Sequence, residues 1–231
     1  MITLRPASER GQADFGWLNS YHSFSFGHYY DPKHMGFSAL RVINDDTVQP
    51  RMGFDTHGHK DMEIISLVTQ GTIAHKDSAG NIRELPAGEY QLMSAGSGIF
   101  HSEFNASDAE RLKFLQIWIQ PNRFGGEPSY QQKSFGEAEG FTTIISPDGR
   151  AGTLQIKQDA SLIQLIMQQT QDATWSADPE RRYYVHVVEG RLLLQNEVVL
   201  CQGDGAKLEQ LDAIHFSKQS ERLKVILFDL P

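Results

Sequence analysis

Gly53-Phe54-Asp55-Thr56-His57-Gly58-His59-Lys60-Asp61-Met62-Glu63 sets two histidines at i and i+2 in a glycine-punctuated run. Side chains two apart on an extended chain point to one face, so His57 and His59 share a face if this run is a strand. A second stretch, Gly88-Glu89-Tyr90-Gln91-Leu92-Met93-Ser94-Ala95-Gly96-Ser97-Gly98-Ile99-Phe100-His101-Ser102-Glu103-Phe104-Asn105, repeats the device with His101 and Glu103. Side by side in a small barrel, the two strands bring three imidazoles and one carboxylate to one interior point. A lone His-x-His is usually incidental, but two such pairs in matching contexts point to a metal site. The set contains no thiolate, and three nitrogens with one oxygen leave positions open on Fe(II), Mn(II), Ni(II), Cu(II) or Zn(II).

Working outward, short apolar runs broken by Gly, Pro and Asn/Asp dominate, and several alternate with period two. Strands are expected at residues 21–30, 37–43, 63–69, 72–77, 112–120, 141–146, 183–188, 191–194 and 223–230, with a hairpin loop at Asp77-Ser78-Ala79-Gly80-Asn81. Many short strands and weak helix signals mean an all-β chain of sandwiches or barrels. Residues 122–140, rich in Gly, Glu, Gln and Ser, read as a linker between an N-terminal domain, 1–121, and a C-terminal domain, 141–231. The halves look related. Val68-Thr69-Gln70-Gly71 is answered by Val187-Val188-Glu189-Gly190, and the pair Gly88 and His101 by Gly203 and His215. Counted back from Gly190, the offsets of His57 and His59 fall on Ser176 and Asp178, and Ser217 stands for Glu103. The second domain is therefore expected to hold no metal.

The 231 residues, 39% of them hydrophobic before glycine is counted, suit a soluble globular chain. A net charge of −8 without a basic block argues against nucleic acid or an anionic membrane as partner. The single cysteine, Cys201, makes no internal disulfide, and the start MITLRPASER has no apolar run for a signal peptide. A cytoplasmic setting is expected.

The two stretches resemble the paired motifs of the cupin superfamily. His57, His59 and Glu63 match the first, with Gly71 one residue late; Gly88, Gly96, His101 and Asn105 match the second, with Ser94 where Pro is usual. The pirin branch is most similar, through Gly16-Trp17-Leu18, His22-Ser23-Phe24-Ser25-Phe26, Tyr30-Asp31-Pro32, Leu40-Arg41-Val42-Ile43-Asn44-Asp45-Asp46, Ser94-Ala95-Gly96 and Phe228-Asp229-Leu230-Pro231. That resemblance implies a two-domain cupin, or bicupin, of two small β-barrels or jelly rolls. It implies one divalent ion, Fe2+ first and Mn2+, Ni2+, Cu2+ or Zn2+ open, held by His57, His59, His101 and Glu103, the carboxylate two residues after the second-motif histidine. Bacterial pirins include quercetin 2,3-dioxygenases, which open the flavonol heterocycle with dioxygen and release carbon monoxide. Glu103 would then be the catalytic base, and a small aromatic polyphenol the substrate. Other members are nuclear co-regulators, so a metal-dependent binding module, or a different cupin oxygenation or isomerisation, stays open. A protein partner is not indicated.

Several residues carry bland alternatives. Glu63 is either a further ligand or the partner that orients an imidazole. His22 and His28 suit a hydrogen-bonded core edge, and His34, His75 and His186 are ordinary. Trp17, Phe24, Phe26, Phe54, Met93, Phe100 and Trp118 are core, with a subset lining a pocket. Cys201 is inert.

Overall fold

The computed structural model describes every residue, Met1–Pro231. The regular structure is strand apart from two short 3-10 turns at Ala7–Glu9 and Arg150–Gly152, and no helix is long and apolar enough to cross a membrane. It divides into two compact β units, the two-domain arrangement that the resemblance implies. One unit comprises Gly11–Gly136 with Leu154–Gln158; the other comprises Met1–Arg10, Glu137–Thr153 and Asp159–Pro231.

In the first unit a seven-stranded sheet runs in the order Ser129–Ser134, Glu89–Ser94, Glu63–Gln70, Leu112–Ile119, Leu40–Val48, Leu18–His22, Gly11–Asp14. A four-stranded sheet, Gly53–His59, Ile99–Asn105, Thr72–Asp77 and Ile82–Pro86, faces it. Rings bridge the layers: Phe54 meets Phe114 edge-on at 6.4 Å and His59 meets Trp118 at 5.0 Å. The central strand EIISLVTQ is apolar on both parities and buried through Val68, as suits a strand covered on both faces. Gly71, at φ +82, turns it into Thr72–Asp77, a conformation costly for other residues. Leu18, Val48, Val68, Ile73, Leu85, Leu112 and Phe114 form one end of the core.

In the second unit Ile2–Arg5, Gly205–Glu209, Arg182–Glu189, Leu223–Leu230, Ser161–Met167 and Gly140–Ser146 are neighbours in that order. The smaller sheet is Asp172–Ser176, Ala213–Lys218, Arg191–Leu194, Val198–Cys201. Its inner face is apolar: Leu192, Leu194, Ile214 and Phe216 are buried, and Phe141 packs on Phe216 and Trp175 at 5.7 and 5.1 Å.

The structure corrects several expectations. Residues 122–140 are not bare linker: Ser129–Ser134 pairs with Glu89–Ser94 as an edge strand of the first unit. Its sequence, SYQQKS, has no apolar alternation to betray it. Residues 1–10 do not belong with the domain that follows them, because Ile2–Arg5 pairs with Gly205–Glu209. The strand expected over 21–30 ends at His22; Phe26 and Tyr29 then close on each other in a turn, driven by Gly27 at φ +58. The strand expected at 37–43 is displaced to Leu40–Val48, since Phe37–Leu40 is itself a turn.

The internal repeat is out of step by one residue. Glu103 is the cross-strand partner of His75, four residues after Gly71; four after Gly190 is Leu194, whose partner is Phe216. Glu103 therefore matches Phe216, not Ser217, and His101 matches Ile214, not His215. His57, opposite His101, matches Trp175, opposite Ile214. His215 is exposed and bonds Thr174 Oγ1 through Nδ1 at 3.0 Å. With a side-chain period of two, a slip of one residue exchanges inside for outside.

Candidate metal centre

The four-stranded sheet sets the histidines in register. In the antiparallel pairing of Gly53–His59 with Ile99–Asn105, His101 lies opposite His57, and Ile99 opposite His59. Gly53 allows the strands this approach, because a Cβ there would lie 2.3 Å from the Glu103 carbonyl oxygen. A bulge between His101 and Glu103 shifts the register. The imidazoles of His57, His59 and His101 converge with ring centroids 4.5–4.9 Å apart and one donor atom each within 4.8 Å of the others.

Their protonation favours a cation. His57 Nδ1 lies 2.7 Å from the Asp55 carbonyl oxygen, so Nδ1 carries the proton and Nε2 presents a lone pair. His57 Nε2 faces His101 Nε2 at 3.0 Å. Two nitrogens each about 2.1 Å from one ion and at right angles to it are about 3.0 Å apart, so the spacing fits adjacent ligands. Burial, reinforced by neighbouring imidazoles, lowers His59 to about 4 and His101 to about 3. Both are neutral donors at neutral pH, and the residues present fit a divalent ion.

Glu103 is buried and reaches across to the seven-stranded sheet. Ser66 Oγ donates to it at 3.5 Å and Gln116 Nε2 at 3.2 Å. Burial lifts its carboxyl to about 7 despite these bonds. Its oxygens fall with donor atoms of His101 and His75 within 4.8 Å, a second cluster that shares His101 with the first. Glu63 does not reach the imidazoles; it accepts from Ser94 Oγ at 2.7 Å and from the Lys157 backbone N–H at 3.2 Å.

His75, which the sequence marks as ordinary, packs 5.4 Å from His101 and 4.8 Å from Tyr130, with Nε2 3.2 Å from Asp77 Oδ2 and Nδ1 buried without a partner. The strand pairing that brings it to Glu103 leaves no local signal. A second omission is a row of polar residues across the seven-stranded sheet: His22, Asn44, Gln116, Ser66 and Gln91 are successive cross-strand partners, all buried.

Between the layers of this unit lies a cavity of about 680 Å³, the size of a small-molecule site. One wall carries His57 and His59. The other carries Ser20, His22, Asn44, Asp46 and Gln116, and Trp17, Phe26, Phe54 and Trp118 supply aromatic surface. Of the side chains assigned to core, Phe24 and Met93 are buried and Phe100 is exposed. His22 Nδ1 bonds Asn44 Oδ1 at 2.8 Å, while His28 is exposed on the cavity rim.

Comparison with known proteins agrees with this architecture. The family signature described as Pirin matches residues 3–119, and that described as quercetinase C-terminal cupin domain matches 143–230. A quercetin 2,3-dioxygenase of Escherichia coli K12 is 48% identical over 100% of this chain and 99% of its own length. A pirin-like protein of Caulobacter vibrioides is 40% identical over 99% of both. The crystal structure of an E. coli bacterial pirin in complex with nickel(II) superposes with a TM-score of 0.96 at 47% identity, covering 100% of this chain and 99% of that one.

Proposed function

We infer, on the premise that this chain belongs to the pirin family of the cupin superfamily, that it is a metal-dependent dioxygenase that opens the heterocycle of flavonols such as quercetin and releases carbon monoxide. The observation that carries this reading is three imidazoles meeting at one point, two of them in the wall of an aromatic cavity. The names of the relatives and the nickel(II) in one of them support it.

His57, His59 and His101 would hold the ion, with Glu103 as fourth donor; Fe(II) and Ni(II) are the first candidates. A divalent ion held there would supply Lewis acidity toward the substrate oxygen. Asp55, through its carbonyl, fixes the tautomer of His57. Glu103 would take the flavonol 3-hydroxyl proton as general base. Gln116 links Glu103 to the cavity, since it lines the one and donates to the other. Trp17, Phe26, Phe54 and Trp118 offer flat apolar surface to a planar ring system and keep water from it.

The test is carbon monoxide and depside formation from quercetin, normalised to bound metal, by protein loaded separately with Fe(II) and Ni(II). Turnover that disappears with His57→Ala supports the reading. No turnover from fully loaded wild type with either ion overturns it and leaves a metal-dependent binding module.

A further inference from the structure

Asp46 is the one carboxyl among the residues that line the cavity, and neither the metal cluster nor the chemistry above uses it. It sits on Leu40–Val48 in the seven-stranded sheet, opposite the wall that carries His57 and His59. The residue is 2% exposed, yet it lines the cavity. Its side-chain partner is the Ser20 hydroxyl, which donates to Oδ1 from the adjacent strand. No Lys or Arg forms an ion pair with it. A carboxyl has about four lone-pair positions and Ser20 fills one.

Burying a carboxyl without a cation is costly, and burial with the nearby Asp45 and Glu103 raises its pKa. Ser20 is itself turned to the same wall, as are His22 and Asn44. The arrangement is that of a preformed acceptor, oriented by its neighbour and open toward a ligand.

We propose that Asp46, oriented by Ser20, is a specificity-determining residue that accepts a hydrogen bond from a ring hydroxyl of the substrate other than the one directed to the metal. This rests on reading the cavity as a flavonol site. The two walls then divide the ligand: imidazoles on one side take the reacting end, and Asp46 on the other takes a distal hydroxyl. The ligand class is a planar aromatic with hydroxyls at both ends. An analogue lacking the distal hydroxyls leaves Asp46 buried and unsatisfied, and sites built to bond a hydroxyl reject such analogues strongly.

The experiment is anaerobic calorimetry on nickel(II)-loaded protein with quercetin and with galangin, the flavonol without hydroxyls on its pendant ring. Wild type is expected to bind quercetin roughly 10- to 100-fold more tightly. Asp46→Leu should erase most of that ratio by weakening quercetin alone, with metal content unchanged. Asp46→Asn, which keeps an acceptor oxygen, should restore part of it. Wild type that binds both flavonols equally overturns the proposal while leaving the dioxygenase reading intact, as does an Asp46→Leu protein that loses both equally or keeps the ratio. Discrimination by wild type without turnover under dioxygen overturns the dioxygenase reading alone. Wild type that binds neither flavonol overturns both.

Discussion

The small sheets of the two units have the same strand pattern and opposite interiors. In the first, His57, His101 and Glu103 point inward; at the matching positions of the second stand Trp175, Ile214 and Phe216. The backbone pairing that puts three imidazoles together therefore does not need them. What differs is the use of the space between the layers: a buried apolar core in one unit, and in the other a polar row and an open cavity. A β-sandwich stays folded by filling its interior, and the first unit forgoes part of that filling where its candidate site lies.

That contrast can be tested from both sides. The largest effect is expected at Glu103, where Glu103→Gln keeps the shape and an oxygen donor but removes the base. Turnover of quercetin per bound metal should fall about 10²–10⁴-fold, the usual cost of losing a general base. Near-wild-type turnover would move the proton to another group, Asp46 before Glu63, since only the former lines the cavity. Next in size, Phe216→Ala empties a fully packed position and should cost about 3–5 kcal/mol in denaturant unfolding of its unit. His101→Ala, in chelated protein, should cost on the order of 1 kcal/mol. Equal losses would mean that the histidine cluster is as structural as the apolar one.

A smaller effect is the pH dependence contributed by Asp46. Burial lifts its carboxyl from 3.8 to about 7, so the folded chain holds a proton that the unfolded chain releases. The stabilisation is fully present below 3.8 and is lost as pH rises through about 7. Relative to wild type, Asp46→Asn should gain melting temperature progressively across that window and stay level above it. A difference independent of pH would mean that Asp46 is ionised in the fold.

The sequence disclosed what is local. His57 and His59, and likewise His101 and Glu103, are two apart on strands, and period-two alternation put each pair on one face before any partner strand was known. The strands Glu63–Gln70, Thr72–Asp77 and Leu223–Leu230 announced themselves as apolar runs. Contacts between distant strands were not legible. His75 meets Glu103 and His101 only through strand pairing, and Asp46 reads as one more polar residue in Asn44-Asp45-Asp46. Ile2–Arg5 finds its partner some two hundred residues later, and Ser129–Ser134 is an edge strand with nothing apolar to mark it. In the second unit His215 is the conspicuous residue and sets the apparent register one residue out, whereas the residues that replace the cluster, Ile214 and Phe216, look like any core.

The most direct measurement is the metal stoichiometry of the full chain after dialysis against nickel(II) and removal of loosely held ion. The account predicts about one tightly bound ion per chain, lost in His57→Ala, His59→Ala and His101→Ala and retained in Phe216→Ala. Two equivalent ions per chain, or a His101→Ala protein as fully loaded as wild type, would contradict it.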